Sequence, residues 1–356
     1  MPDQVSFGVS LYTGQHLNTS SNLRYQDAVV LAQASEAAGF DVFWVSEHHG
    51  FRDGYLPSPL VLLGALAVST STIKLASGVA LGVLYNPIRL AEDSAVVDHL
   101  ADGRLILGLG VGYLDSELKM YGIDRSERGR RLGETIEVLR LAWRGEPFSY
   151  EGQRLNLKSA LVTPSPTRPE GIPIWLGGYA PSALRRAAAM ADGHLVGRGQ
   201  QDVVRTSADL IRAELGARRR GFSFGVNVTV VLTDERGHPE SALTGFEAQQ
   251  RAYERVQRDT DVYAGRIPNA DATDALTLGS IEHYINARGN AEAICGILAG
   301  YLVDLADFDH VHLALRMIFP EPSIEDQVER IIAFGETVLN PLRALINQTP
   351  GVGSRK

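Results

Sequence analysis

Short apolar runs alternate along this chain with longer segments whose apolar residues recur every three or four positions. Val5–Leu11 reads as a first strand, and Tyr25–Ala38 follows with Ala28, Leu31, Ala32 and Ala38 at helical spacing. Gly39 stands where a C-cap glycine belongs. The buried, β-branched and aromatic run Asp41–Ser46 is too short for a helix and predicts strand two. Pro59–Ser69 is an apolar helix, Ile73–Val79 strand three, Ile88–Leu100 a helix opened by Pro87, Arg104–Val111 strand four and Arg130–Trp143 a further helix. The alternation resumes with strand five (Pro173–Leu176), a helix (Ser182–Met190), strand six (His194–Val196) and a helix (Val203–Arg219). Phe224–Leu232 is strand seven, Val311–Leu315 strand eight, and Ile324–Leu345 a closing helix.

Strands that are apolar on both faces, each followed by a helix, imply parallel strands covered by helices. Eight such strands predict an α/β fold, a single (β/α)8 TIM barrel rather than an open doubly wound sheet. One domain is expected over 1–350, with a short flexible tail, 351–356. Two excursions exceed the usual connection length: Gly145–Ile172 after helix four, and Thr233–Gly289 between strands seven and eight. The second carries a helical patch, Glu247–Arg258, and a polar stretch, Asp259–Asp274. Such excursions often shape or cover an active site.

Composition narrows the functional classes. With 34 Lys and Arg against 42 Asp and Glu, the net charge of −8 gives no global support to nucleic-acid binding. No run of 18 apolar residues suggests a membrane span, and the N-terminal residues show no signal-peptide pattern, so the expected compartment is the cytoplasm. The single cysteine, Cys295, lies in an apolar stretch and is expected to behave as a small buried hydrophobe.

In a barrel the chemistry sits at the C-terminal ends of the strands. Strand two delivers Glu47, His48 and His49 there. The other strand ends are rich in glycine: Gly78 to Gly82, Gly110 to Gly112, Gly177-Gly178 and Gly197. Glycine lets backbone approach a flat or phosphorylated ligand closely. Leu176–Ala189 is the best anion candidate, because a helix N-terminus near Pro181 offers free N–H groups beside Tyr179 and the Ser182 hydroxyl. The same residues would serve equally well as a turn and a helix cap. Arg130 and Arg131, opening helix four, could add a guanidinium. A mononucleotide fingerprint is absent, since Tyr113 stands where GLGVGY would need its third glycine. Glu47-His48-His49 lacks the spacing of a metal site, and none is expected.

Together these segments resemble the bacterial luciferase-like family of flavin-dependent oxidoreductases. The resemblance rests on AGFDVFWVSEHH (38–49), IKLASGVALG (73–82), LAEDSAVVDHLADGRLILGLGVGY (90–113), MYGIDRSERGRRLGETIEVLR (120–140) and PIWLGGYAPSALRRAAAMADG (173–193). It spans roughly 5–230 and returns weakly near the C-terminus. It implies a barrel that holds reduced FMN at the strand C-termini, with His48 facing the flavin and oxygen as the catalytic proton carrier. By the same resemblance Val79, Ala80 and Leu81 support the ring over a non-proline cis peptide expected at Ala80–Leu81. Arg130, Gly178, Tyr179 and Ser182 would take the phosphate, and Gly197 and Arg198 would border the ring. Val111 stands where luciferase has an arginine, which shifts phosphate binding toward Arg130. Asp98 and Arg104 are assigned to structure, as a charge pair or caps.

The expected function is a two-component FMN-dependent monooxygenase acting with O2 on a small organic substrate, supplied with reduced flavin by a separate reductase. A homodimer through helices two and three is expected by the same resemblance. The alternative is a deazaflavin-dependent hydride transfer enzyme, although His49, Gly50, Phe51 and Arg52 lack the tryptophan seen in some of those dehydrogenases. A third reading is a non-catalytic flavin-binding paralogue, against which the presence of His48 and the glycine-rich strand ends argues.

Overall fold

The computed structural model describes residues 1–12, 24–216, 221–263, 284–321 and 323–348. Eight strands form the barrel: β1 (Gln4–Leu11), β2 (Val42–Val45), β3 (Lys74–Ser77), β4 (Leu105–Leu109), β5 (Ile174–Gly177), β6 (Gly193–Val196), β7 (Ser223–Leu232) and β8 (His310–Ile318). Each pairs in parallel with the next, and β8 pairs with β1, so the sheet closes and has no free edge. The connecting helices are α1 (Arg24–Ala37), α2 (Pro59–Ser69), α3 (Pro87–Leu100), α4 (Arg128–Ala142), α5 (Pro181–Met190), α6 (Gln201–Leu215), α7 (Ala291–Asp304) and α8 (Ile324–Phe334). This is the (β/α)8 barrel that the alternation predicts. Among the described residues no helix is long and apolar enough to cross a membrane.

Local chemistry sets the helix ends. Gly39 takes φ +84° after α1, a conformation that costs glycine little. Asn86 accepts hydrogen bonds from the N–H groups of Ile88 (2.9 Å) and Arg89 (3.3 Å), with Pro87 in the first turn of α3. Helix α7 is an element that the sequence pattern did not assign. Its residues AEAICGILAGYLVD are apolar nearly all round, so no polar face marks a period. The closing helix is interrupted by a π-turn at Gly335–Leu339 before a last helix, Asn340–Gln348. Gly335 lies so close to the Ala38 carbonyl that a Cβ would sit 2.6 Å from it.

The first excursion holds an antiparallel hairpin, Phe148–Glu151 with Asn156–Ala160, also unassigned from sequence. Buried Glu134 of α4 fastens it by accepting from the N–H of Gln153 at 3.0 Å. In the second excursion the helix is longer than its apolar patch suggests, Pro239–Tyr263, and Ala287–Gly289 adds a short strand along β7. Most of the polar stretch Asp259–Asp274 lies outside the described residues. Asp98 and Arg104 are structural but do not pair with each other. Asp98 accepts from Thr167 Oγ1 at 2.6 Å, whereas the Arg104 guanidinium binds the carbonyls of Ala67 (2.9 Å) and Thr70 (3.1 Å) at the end of α2.

The barrel interior is a cluster of its own: Val42, Trp44, Ala76, Ile106, Trp175, Leu195 and Ala314. The two indoles lie 5.6 Å apart, and glycines on other strands make way for them. A Cβ on Gly8 or Gly78 would stand 2.7 or 2.8 Å from Trp44, and one on Gly193 or Gly225 2.7 or 2.9 Å from Trp175. Trp44 Nε1 donates to His312 Nε2 (2.8 Å), His312 Nδ1 contacts Ser6 Oγ (2.7 Å), Ser6 Oγ contacts His310 Nε2 (2.7 Å), and His310 Nδ1 contacts Ser223 Oγ (2.8 Å). An indole only donates, so His312 Nε2 must be unprotonated and Nδ1 carries the hydrogen. Burial and neighbouring charge hold His312 well below the ordinary imidazole range, and burial lowers His310 to about 4.

A second polar structure ties the C-terminal part to the barrel. Arg330 and Glu321, both buried, form a two-pronged ion pair (2.6 and 2.8 Å), and Arg330 Nε also donates to the Gly237 carbonyl at 2.7 Å. Removing one charge leaves the other buried and uncompensated, at about 3–5 kcal/mol. Arg330→Met is expected to lose that much stability in urea unfolding, and the double replacement with Glu321→Leu to recover most of it; an Arg330→Met protein as stable as the parent would refute the assignment. The unfolded chain protonates His310 near 6.5 and the folded barrel only near 4. Its contribution is therefore complete above about pH 6.5 and lost as the pH falls toward 4, by up to about 1.4 kcal/mol per unit. Unfolding midpoints recorded between pH 7.5 and 5 should decline, and His310→Asn should flatten the decline.

Candidate active site

Above the indole plug, at the C-terminal ends of the strands, lies a cavity of about 460 Å³. Its lining comes from seven of the eight strand ends and from the second excursion, which supplies Phe246, Gln250, Tyr253, Tyr284 and Asn286. No residue of the first excursion lines it. The hairpin is thus a decoration of the outer wall, while the long second segment builds the chamber.

His48 lines this cavity from the end of β2. Its ring is enclosed by Phe51 (centroids 4.8 Å apart), Tyr55 (4.8 Å), Tyr253 (5.4 Å) and Tyr113 (5.8 Å). His48 Nδ1 lies 2.8 Å from Glu117 Oε1, which also accepts from the His49 N–H at 3.0 Å. Glu117 is completely buried, on a short helix, Asp115–Met120, that follows β4. A carboxylate accepts only, so the Nδ1 position carries the hydrogen and Nε2 is left as the proton-exchanging atom. Burial keeps the Tyr55 hydroxyl far above the ordinary phenol range, hence neutral.

A second imidazole–carboxylate pair stands beside the first. Glu47 Oε1 meets His49 Nε2 at 2.7 Å, and Oε2 accepts from the Leu81 N–H (2.8 Å) and the Tyr85 hydroxyl (3.0 Å). His49 Nδ1 contacts the Tyr121 hydroxyl at 3.1 Å. Consecutive histidines thus point apart, one into the chamber and one into the wall, as an extended chain requires.

Among the other sequence-derived candidates, Val79, Leu81, Val111, Gly178, Tyr179, Gly197 and Arg198 line the cavity. Arg198 lies over the Tyr179 ring, 4.7 Å from its centroid. Ala80 does not face the chamber. It is wholly buried, its N–H bonded to the Gly108 carbonyl and its carbonyl to the Gly110 N–H, both at 2.8 Å. The cis peptide is Gly78–Val79, not Ala80–Leu81. The chain has rejoined β4 by Ala80, and the irregular step falls where Val79 turns into space that Gly110 and Gly177 leave open; a Cβ there would come within 2.6 and 2.9 Å of Val79. Several rim glycines therefore accommodate protein side chains rather than a ligand. Gly197 is different, with nothing within 4 Å of an added Cβ, and Gly112 and Gly178 take φ +72° and +133°.

Arg130 and Ser182 also stand apart from the cavity lining. Both are exposed, and Arg130 lies 3.5 Å from Glu127 one turn away. Sequence reasoning missed Glu117, because its helix is a single short turn beyond the expected strand. It also passed over Asn227 and Thr229, polar residues two apart in a largely apolar strand and so a legible signal of one inward-facing side, and Arg316, which directly follows the expected strand eight.

Comparisons with known proteins bear on the family and the fold. The chain matches the luciferase-like monooxygenase family over residues 5–292. The protein y4wF of Sinorhizobium fredii is 32% identical over 219 residues, 61% of this chain and 63% of that one; the match to a second S. fredii protein, y4vJ, spans 53% of its length. An F420-dependent glucose-6-phosphate dehydrogenase of Nakamurella multipartita is 26% identical over 337 residues, 89% of this chain and 93% of the relative. Among solved structures, the monooxygenase RslO1 of Streptomyces bottropensis superposes with TM-score 0.77 at 20% identity, covering 94% of this chain and 99% of the other. The oxygenating constituent of 3,6-diketocamphane monooxygenase from Pseudomonas putida, in complex with FMN, gives TM-score 0.72 at 17% identity over 94% and 97%. The barrel, the rim histidine and the match across most of the sequence meet in one chain, and this protein belongs to the luciferase-like monooxygenase family.

Proposed function

We propose that the chain is a two-component monooxygenase that takes reduced FMN from a separate reductase and uses O2 to oxygenate a small organic molecule. The observation that carries this reading is His48, held at Nδ1 by buried Glu117 and open at Nε2 toward a chamber with an apolar, glycine-edged floor. That floor suits a planar tricyclic ring: Val79, Leu81 and Val111 offer apolar contact, and the open face of Gly197 admits an edge that a Cβ would obstruct. Gly178, Tyr179 and Arg198 would hold the polar side of the cofactor. Arg130 and Ser182 would reach its phosphate only from the outer margin, at the exposed starts of α4 and α5. When bound, reduced FMN supplies the electrons that activate O2.

The protein contributes position, exclusion of water and a proton at His48 Nε2. Glu117 fixes the imidazole's orientation and favours its protonated form as a proton arrives at Nε2, the arrangement of a general acid and base. The aromatic enclosure keeps bulk water from the ring. A second reading, hydride transfer with a deazaflavin, is favoured by the alignment over 89% of this chain with an F420-dependent dehydrogenase. The same His48 and Glu117 would then serve a proton transfer without oxygen.

Titrating the purified protein with FMN and with F420, in oxidised and reduced forms, tests the cofactor: tighter binding of reduced FMN and substrate-dependent O2 consumption are expected. Binding of F420 alone, with no O2 uptake, would replace the first reading by the second. His48→Ala should lower turnover at least about tenfold under saturating reduced flavin. Glu117→Gln should lower turnover and displace the pH profile while leaving cofactor affinity unchanged. Full activity in His48→Ala would remove the proposed role.

A further inference from the structure

The chamber has a half that the cofactor reading leaves unused. Strands β7 and β8 reach it with Asn227, Thr229 and Arg316. Register sets Arg316 opposite Thr229 and Ala314 opposite Asn227. The Asn227 amide is oriented by its neighbours, its NH2 toward the Ala314 carbonyl (3.3 Å) and its oxygen accepting from Arg316 Nη2 (3.0 Å). Asn286, from the second excursion, is tied to β7: its Oδ1 accepts from the Thr229 N–H at 2.8 Å. The wall around the guanidinium is thus built and held.

Arg316 lacks the carboxylate partner that several buried or partly buried arginines have, as does Arg104, whose guanidinium is instead taken up by backbone carbonyls at the end of α2. Arg330, Arg212 and Arg140 each meet a carboxylate, at 2.6 Å in every case. No carboxylate of the described residues lies within ion-pair distance of Arg316, and its partner is a neutral amide. A half-buried cation facing a chamber without a counter-charge is a site for an anion, best a planar one that takes two hydrogen bonds. Its charge acts on the hydroxyls of Tyr113 and Tyr253, the two rings that also pack on His48. Arg316 and His48 therefore flank one aromatic surface. Arg316 also lies beyond the segment that matches the family, 5–292.

We propose that the substrate is a flat organic acid whose carboxylate is held by Arg316 and whose ring system lies against Tyr253 and Tyr113 beside His48. The reaction at His48 rests on the function proposed above; recognition of the acid does not. Calorimetric titration of the full chain, with and without FMN, uses benzoate and 1-naphthoate as probes and benzamide and 1-naphthamide as their neutral isosteres. At least one acid should bind, at least about tenfold more tightly than its amide. Arg316→Gln should reduce acid affinity at least about tenfold, leave the amide and FMN affinities unchanged, and melt like the parent; Arg316→Lys should retain part of the acid affinity.

Equal affinity for acids and amides, or no acid binding at all, overturns the proposal. Weakened FMN binding in Arg316→Gln also overturns it, by giving the guanidinium to the cofactor. If Arg316→Gln does not fold, the acid-to-amide ratio on the unaltered protein decides. Failure of both cofactors to bind, with the acid preference intact, would sink the functional reading and leave this one standing.

Discussion

Two indoles inside one small barrel are the constraint to which the rest of the structure answers. Trp44 and Trp175 fill the floor of this barrel, and facing positions give up their side chains to make room for them. Gly8, Gly78, Gly193 and Gly225 do so, each at a point where a Cβ would collide with a ring. The plug separates the chamber at the upper rim from a second cavity of about 300 Å³ beneath it, lined in part by Ile106, Trp175 and His310. It also explains why glycine is frequent just below that rim, where the demand comes from protein side chains as much as from any ligand.

Much of this was legible from residues alone. Every barrel strand and seven of the eight helices follow from apolar spacing, since each strand is buried on both faces and most helices on one. Helix α7 escaped because its apolar residues surround the axis, and the hairpin at 148–160 because its residues alternate weakly on an exposed surface. At the site, the histidine and most of the glycine-edged rim could be placed from strand ends. Glu117 could not, because it reaches His48 across 69 positions from a helix too brief to show a period. The step from Gly78 to Val79 was misplaced by two residues, since the packing of Val79 against Gly110 and Gly177 is a fact of three strands and not of one.

The rim carries two imidazole–carboxylate pairs of opposite character. His48 with Glu117 faces the chamber and is free to exchange a proton at its far nitrogen. His49 with Glu47 is locked on both nitrogens, and Glu47 in turn fixes the Leu81 backbone that forms part of the floor. One pair lines the chamber and its neighbour braces the wall, an arrangement in which three consecutive residues at a strand exit serve different ends.

The row of hydrogen bonds from Trp44 through His312, Ser6 and His310 to Ser223 starts at an indole nitrogen, which has no lone pair to offer. Hopping conduction needs every member to receive as well as give, so this row is a dead end. The two histidines of the barrel floor are accordingly structural hydrogen-bond partners, and this row cannot pass a proton beyond the indole.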